Sequence, residues 1–271
     1  MPLIAVSADI YETGLDIAHQ SAEKLGYRFL GRELLAEVAQ EHKVTEKELL
    51  DSLQASPGLL PRRVRRRREL SNLIQVACLE RLQQDNTVCY GLGAHLYLEG
   101  VSHAMRVHII STPQQRAADL ARKEGMPLQQ APKLLKRRDQ SDHKWSKETY
   151  GSDDSEPSLY DLALNLTTLE PAKAVDLICD AAASSKFMAM TYSKQCLQDK
   201  LTACRVRQKL LPSFPDVEVS VSNGTVVVRI SSLPYNARKK QEKVRQLASE
   251  VPGINYVEVH VTSRLLISKR G

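Results

Sequence analysis

The chain begins with a short apolar strand, a loop and an amphipathic helix, and this order constrains the fold more than any other part of the sequence. The strand is the apolar run from Leu3 to Val6. After the loop, apolar and small residues recur at helical spacing from Ile17 to Leu25. Phosphate-binding loops of nucleotide enzymes lie between a strand and a helix in this order. The loop at residues 7–16 is therefore a candidate phosphate site.

The loop lacks the chemistry that a phosphate site needs. Such loops use glycines to bring backbone N–H groups close to phosphate oxygens, and a cation to neutralise their charge. Here Tyr11 and Thr13 bring side chains into that space, and Leu15 carries no charge. Three carboxylates add negative potential: Asp9, Glu12 and Asp16. Gly14 is expected at the helix N-terminus, whose dipole still favours an anion. The loop indicates a lost phosphate site, or an ordinary turn in an unrelated α/β domain.

Strands and helices alternate up to about residue 185. Further strands are predicted at Val88–Tyr90, Met105–Ile110 and Ser158–Asn165. Helices are predicted at Thr45–Gln54, at about Arg63–Gln84, around Arg116 and Leu120, and at Glu170–Ala182. The first of them has Thr45 as N-cap and ends at a break at Ser56-Pro57-Gly58, and the last has Pro171 in its first turn. The alternation predicts an α/β fold, a parallel sheet with helices on both faces. The polar segment 131–157 is expected to cover a site or to move.

Composition excludes several classes of protein. No apolar run approaches the ~20 residues of a membrane helix, and no signal-peptide pattern opens the chain, so a cytoplasmic protein is expected. The five cysteines are widely spaced without a C-x-x-C pair, and the seven histidines are scattered. We expect reduced cysteines and no metal site.

Six arginines crowd into one segment of a predicted helix: Arg62, Arg63, Arg65, Arg66, Arg67 and Arg68. Guanidinium groups this close repel one another unless they are solvated or face an anion. One hypothesis is therefore an anionic ligand or acidic partner. The other is the solvated start of a helix whose buried stripe runs from Leu70 to Cys78. No aromatic residues accompany the cluster, so nucleic acid is not favoured as a partner.

After about residue 197 the pattern changes to a small α-β-β-α-β order. Valines alternate with polar residues on both sides of Asn223-Gly224, which predicts a hairpin with a two-residue turn. A helix is predicted at about Asn236–Glu250 and a third strand over Val257–Val261. The helix that precedes the hairpin carries apolar residues from Leu201 to Leu211. This is a small α+β domain with helices on one face of a sheet.

Residues 197–264 resemble a BON domain, a bacterial osmotic-shock and nodulation module. The resemblance lies in the Val-x-Val-x-Asn-Gly-Thr-Val hairpin and the Val-Pro-Gly-Ile turn, whereas Ser231 or Ser232 stands where many members have glycine. It implies contact with phospholipid or protein. Few large apolar residues are expected on this surface, so a protein partner is favoured. Membrane contact would be weak and would use four cations: Lys239, Lys240, Lys243 and Arg245.

Residues 1–185 resemble the cytidylate kinase-like family of P-loop nucleoside monophosphate kinases. The segments that carry the resemblance are the first loop, residues 23–35, the turn at 91–94, Arg106, Arg116 and the last-strand signature at 158–165. The first loop matches at Ser7, Asp9 and Gly14 and departs at Ala8, Tyr11, Thr13 and Leu15. Framework positions are kept, while positions that would face phosphate are changed together.

Two further segments also differ from the family at positions that would face phosphate. In the turn Gly91-Leu92-Gly93-Ala94, Leu92 replaces the arginine that would hold substrate phosphate. Asp139 begins the lid segment, where Gln140, Asp142 and Lys144 replace arginines. The resemblance implies nucleotide-binding roles for these residues: Ser7, Asp9, Gly14, Gly91, Gly93, Arg106, Arg116 and Asp139. It assigns no catalytic residue.

Three functions follow from these observations. The first is a catalytically degenerate kinase-like domain (residues 1–185) that senses a ligand, joined by a linker (186–196) to a BON-like domain (197–264) for docking or assembly, with a tail (265–271). The second is an active CMP-type kinase with a divergent loop, which would need ATP and Mg²⁺. The third is an anion-binding or nucleic-acid-binding protein that uses the arginine cluster.

Overall fold

The computed structural model describes residues 2–53, 61–232 and 236–263. Contacts divide the chain into two compact units, the first made of residues 1–57 and 84–193 and the second of residues 58–83 and 194–271. The predicted break at Ser56-Pro57-Gly58 and the predicted tail at 265–271 lie outside the described residues. The domain limits given above stay a prediction.

The first unit is built on a five-stranded parallel sheet. Its strands are β1 (Leu3–Ala8), β2 (Arg28–Leu30), β3 (Thr87–Tyr90), β4 (Ala104–Ile110) and β5 (Leu162–Asn165). They lie in the order β2-β3-β1-β4-β5, and every neighbouring pair is parallel. The predicted α/β class is therefore confirmed. Sequence analysis missed β2, which has only three residues.

Seven helices of the first unit fall in the described ranges: α1 (Tyr11–Leu25), α2 (Leu34–His42), α3 (Glu46–Leu53), α5 (Ala94–Tyr97), α6 (Pro113–Glu124), α7 (Ala131–Tyr150) and α8 (Pro171–Ala182). The predicted cap at Thr45 is confirmed, because its Oγ1 accepts a hydrogen bond from the Glu48 backbone N–H at 3.2 Å. Pro171 opens α8 as predicted. The polar segment at 131–150 is the long helix α7, which was not predicted as a helix.

The core of the first unit surrounds β1. Leu3, Ile4 and Ala5 have no exposed surface, as expected for the central strand of a parallel sheet that is covered on both faces. Helix α1 contributes Ile17 to the same apolar cluster, and α8 contributes Ile178. These contacts hold α1 and α8 against the sheet.

The second unit contains a mixed three-stranded sheet. Its elements are α4 (Pro61–Leu82), α9 (Thr191–Leu210, which belongs to this unit from Lys194), β6 (Glu218–Ser222), β7 (Thr225–Ser232), α10 (Ala237–Ser249) and β8 (Tyr256–Ser263). β7 pairs antiparallel with β6 and parallel with β8. At the hairpin, Asn223 and Gly224 have φ angles of 47° and 79°, which a tight two-residue turn requires. The predicted α-β-β-α-β order is confirmed.

Helix α4 packs on α9 within the second unit. The Asn72 amide donates to the Cys204 carbonyl at 3.0 Å, and Arg205 pairs with Glu80 at 2.8 Å. Both Leu70 and Ile74 of α4 are buried, as its predicted stripe requires. In the part of the chain that the structure describes, no helix combines the length and the apolar character needed to cross a membrane.

Candidate ligand site at the carboxyl edge of the sheet

The strand order places a candidate site beside the end of β1. Open parallel sheets bind ligands outside the carboxyl ends of their strands, where the winding changes direction. From β1 the chain winds to β2 on one side, and from β3 it crosses β1 to reach β4 on the other side. Residues at the ends of β1, β3 and β4 therefore border the candidate site.

The turn after β1 is short and tightly packed, and it leaves no open loop. Only Asp9 and Ile10 separate β1 from α1, so the prediction that the helix starts at Gly14 is wrong. The Gly14 N–H donates to the Ile10 carbonyl at 3.1 Å within the first turn of α1. A Cβ atom at Gly14 would collide with the Ala8 side chain and lie 2.5 Å from the Tyr90 hydroxyl. Gly14 thus permits close packing of α1 on β1 and β3.

Two tyrosines and an arginine fill the space at the start of α1. The Tyr90 hydroxyl donates to the Tyr11 carbonyl at 2.6 Å, and the two rings lie 5.1 Å apart. The Arg32 guanidinium lies 3.5 Å from the centre of the Tyr11 ring. Burial raises the pKa of both tyrosines, so each hydroxyl stays protonated near neutral pH.

Three of the predicted site residues, Asp9, Arg116 and Asp139, come together from different elements. Arg116 on α6 pairs with both oxygens of Asp139 on α7, at 2.6 and 3.2 Å, and its Nε lies 3.7 Å from Asp9. Asp9 also accepts the Ser111 backbone N–H at 2.8 Å. Burial acts to raise the pKa of Asp9, but His108, Ser111 and Arg116 together lower it below its usual value. The Arg116 cation is therefore held between two carboxylates.

Ser7 lies at one end of a stack of aromatic rings that sequence analysis did not identify. The Ser7 hydroxyl lies 2.9 Å from His108 Nδ1. The Tyr160 ring stacks with the imidazoles of His108 and His95, whose ring centres lie 4.8 and 5.7 Å away. Burial raises the pKa of Tyr160 to about 12. Burial, with the nearby His108 and Arg106, lowers the pKa of His95 to about 3, so this imidazole is neutral near pH 7.

The turn after β3 presents no cation to the site. Gly91, Leu92 and Gly93 have φ angles of 69°, 55° and 73°, a left-handed backbone that favours glycine. Leu92 is only 3% exposed, so its side chain belongs to the interior. The position at which the resemblance implies a phosphate-binding arginine is thus apolar and buried.

Arg106 lies on β4, two residues before His108 and on the same face of the strand. Its Nε is 3.6 Å from the Asp161 carboxylate, which also accepts the Arg106 backbone N–H at 2.9 Å. Lys186 shares this carboxylate at 3.2 Å. The charge of Arg106 is thus balanced within the first unit.

One cluster was not anticipated from the scattered histidines. His143 Nδ1 lies 3.1 Å from Asp154 and 3.4 Å from Asp153, and these three residues have ligand types that a metal ion accepts. Lys147 already pairs with Asp153 at 2.7 Å and lowers the pKa of that carboxyl. This ammonium group offsets the charge that would attract a cation.

The arginine cluster of α4, in the second unit, contains arginines with hydrogen-bond partners in the protein and arginines with exposed side chains. Arg65 donates to the Pro212 carbonyl at 2.6 Å and to Glu69 at 3.0 Å. Arg68 donates to the Pro215 carbonyl at 2.9 Å and to Asp216 at 3.3 Å. Arg67 is half-buried, while the other three side chains are exposed: Arg62, Arg63 and Arg66. Part of the cluster therefore has a structural role.

A comparison with protein families identifies the family of the chain. A model of the Cytidylate kinase-like family matches residues 3–168. The chain belongs to the cytidylate kinase-like family. The crystal structure of an uncharacterized protein from Eubacterium ventriosum ATCC 27560 is similar at 17% identity and a TM-score of 0.47, over 68% of this chain and 99% of that one. The search among curated proteins returned no match.

Proposed function

We propose that this chain is a catalytically degenerate member of its family that senses an anionic ligand, with a C-terminal BON-like domain for docking or assembly. The observation that carries the proposal is the closed turn after β1, where Tyr11, Tyr90 and Arg32 occupy the space in which nucleotide phosphates would lie. Phosphoryl transfer depends on positioning and charge neutralisation, so a filled phosphate loop removes most of the catalysis.

Internal pairing of the remaining cations supports the loss of activity. Arg116 is paired with Asp139, and Arg106 with Asp161. Loss of one transition-state arginine costs ~10³-fold or more in rate. A site whose arginines already face carboxylates gives little stabilisation to a transferring phosphoryl group.

The Arg116–Asp139 pair supports a sensing role. Asp139 binds the guanidinium through two oxygens, in the geometry that a phosphate would use. An anionic ligand such as a nucleotide would therefore compete with Asp139 for Arg116. Because Asp139 lies on α7, replacement of this contact would remove one of the polar links between α7 and α6, while their shared apolar cluster remains.

The alternative is an active CMP-type kinase that uses ATP and Mg²⁺. Family membership favours it, as does the position of Asp9 and Arg116 beside the carboxyl edge of the sheet. In this alternative, closure on the nucleotide would have to displace Tyr11 and break the Arg116–Asp139 pair.

The two functions are separated by combining a ligand-binding assay with a turnover assay. Thermal shift is measured with ATP and CMP, with and without Mg²⁺, because a ligand that binds only the folded state raises its stability. Phosphorylation of CMP, dCMP and UMP is measured in parallel. We expect a stability increase for at least one nucleotide and no turnover. Turnover near one per second, within the usual range for kinases, would refute the proposal, and no stability increase would refute sensing of these nucleotides.

Two variants test the site itself. Asp139→Asn should increase the nucleotide-dependent stability gain, because it removes the competing carboxylate, and Arg116→Gln should abolish it. Arg122→Gln is the matched control, since Arg122 lies on the same helix with its side chain 69% exposed and pairs with Asp119. If Arg122→Gln reduces the gain as much as Arg116→Gln does, binding is not located at Arg116.

A further inference from the structure

A cavity of about 150 Å³ lies in the second unit, between the segment after α9, the end of β7 and the start of α10. Its walls combine apolar side chains with hydroxyl, amide, carboxylate and ammonium groups. The lining residues are Ser213, Phe214, Pro215, Asp216, Val217, Ile230, Ser231, Ser232, Asn236 and Lys240. Sites for drug-sized ligands measure about 300–1,000 Å³, so this cavity suits a smaller group.

The α10 side of the cavity carries positive charge. Lys240 lines the cavity and its Nζ lies 3.5 Å from the Ser231 carbonyl. Asn236 is the N-cap of α10 but makes no side-chain hydrogen bond to the helix. The first turn contains no acidic residue and includes the consecutive cations Arg238, Lys239 and Lys240. This charge adds to the positive end of the dipole of a 13-residue helix.

One arginine of the α4 cluster contacts the cavity wall. Arg68 Nη1 contacts the Pro215 carbonyl and the Asp216 carboxylate, both of which belong to cavity-lining residues. This pair reduces the repulsion that the exposed Asp216 carboxylate would exert on an anion. Arg65 lies one turn before Arg68, so these two side chains are neighbours on the surface of α4. The cavity is therefore flanked by cations from two helices.

We propose that this cavity binds the phosphate group of a small phosphate monoester. Lys240 and the start of α10 supply the positive charge, Arg68 offsets the Asp216 carboxylate, and the hydroxyls of Ser213 and Ser231 supply neutral hydrogen-bond donors. This site is separate from the candidate site on the parallel sheet and does not depend on the proposed function. It gives part of the arginine cluster a partner that the sequence alone did not identify.

The test is amide NMR of the full chain titrated with glycerol 3-phosphate, with glycerol as the neutral comparison. We expect saturable shifts at Ser231, Asn236 and Lys240 with glycerol 3-phosphate only. Lys240→Gln should weaken binding about tenfold or more, the effect of one charge-assisted hydrogen bond. The matched control is Lys243→Gln, which makes the same charge change on an exposed residue of α10 that does not line the cavity, and should change affinity less than twofold.

A second variant separates binding from folding. Asn236→Asp places a negative charge in the cavity but keeps a favourable N-cap residue, so binding should weaken while the unfolding midpoint stays equal or rises. Vesicles that contain phosphatidic acid, whose headgroup is a phosphate monoester, are compared with neutral phosphatidylcholine vesicles to distinguish a lipid headgroup from a soluble ester, and loss of vesicle binding in Lys240→Gln would assign the phosphate to lipid. No saturable shift, or equal losses in Lys240→Gln and Lys243→Gln, would overturn the proposal.

Discussion

Replacement of Gly14 by alanine tests whether the turn after β1 is closed. In an exposed helix, Gly→Ala stabilises by roughly 1 kcal/mol. At Gly14 the new methyl group would collide with Ala8 and lie 2.5 Å from the Tyr90 hydroxyl and 2.9 Å from its Cε2. Overpacking costs about 1–3 kcal/mol, and a shift of Tyr90 would cost a further 0.5–1.5 kcal/mol, roughly, by breaking its hydrogen bond to Tyr11. We expect a net loss of about 2 kcal/mol.

Urea unfolding followed by tryptophan fluorescence measures this loss. Trp145 is the one tryptophan in the sequence and lies on α7, so its signal reports on the first unit. The midpoint should fall without a change in the slope m. The double variant Ala8→Gly/Gly14→Ala should recover part of the loss, because it removes the nearest obstructing side chain. If Gly14→Ala alone is as stable as the wild type, the turn has open space and the argument that the phosphate loop is filled fails.

Two further predictions concern charge. The pKa of His95 is lowered to about 3 in the folded state against a usual value of 6.5, so the folded state should lose stability as pH falls from about 6.5 towards 3. Urea midpoints between pH 7.5 and 4 measure this decline, which His95→Gln should flatten and the exposed-residue control His19→Gln should not. An unchanged pH dependence in His95→Gln would contradict the burial of this imidazole. Arg65→Gln should destabilise the second unit by about 1 kcal/mol, because Arg65 donates a hydrogen bond to the Pro212 carbonyl. In melting followed by circular dichroism, the control variant Arg63→Gln should have no effect, since Arg63 is exposed. Equal melting temperatures of the two variants would contradict a structural role of Arg65.

The sequence predicts the sheet architecture well because buried strands and hairpins have strong local signals. β4 and the hairpin at Asn223-Gly224 are recognised from apolar runs, alternation and turn residues. Two elements lack such signals. β2 has three residues, of which only Leu30 is buried, and α7 is so polar that no apolar stripe marks it as a helix.

The candidate site was only partly predictable. The family resemblance predicts that Asp9, Arg116 and Asp139 belong to one site, and in the structure Arg116 contacts both carboxylates. The stack of His95, Tyr160 and His108 joins residues far apart in sequence, so no local pattern indicates it. Gly14 is predicted at the N-terminus of the helix, in a phosphate-binding role, because sequence does not distinguish a glycine needed for backbone conformation from one needed for close packing.

The placement of α4 in the second unit has a consequence for synthesis on the ribosome. Helix α4 is translated early, but its partner at Pro212 follows Arg65 by 147 residues. At about 5–20 residues per second, that delay is on the order of ten seconds. Throughout it, the apolar stripe of Leu70, Ile74 and Cys78, which is buried in the finished protein, has no α9 to cover it. The nascent chain therefore exposes an apolar helix surface that chaperones can bind. Slower translation beyond residue 83 would lengthen the period in which this surface can cause aggregation.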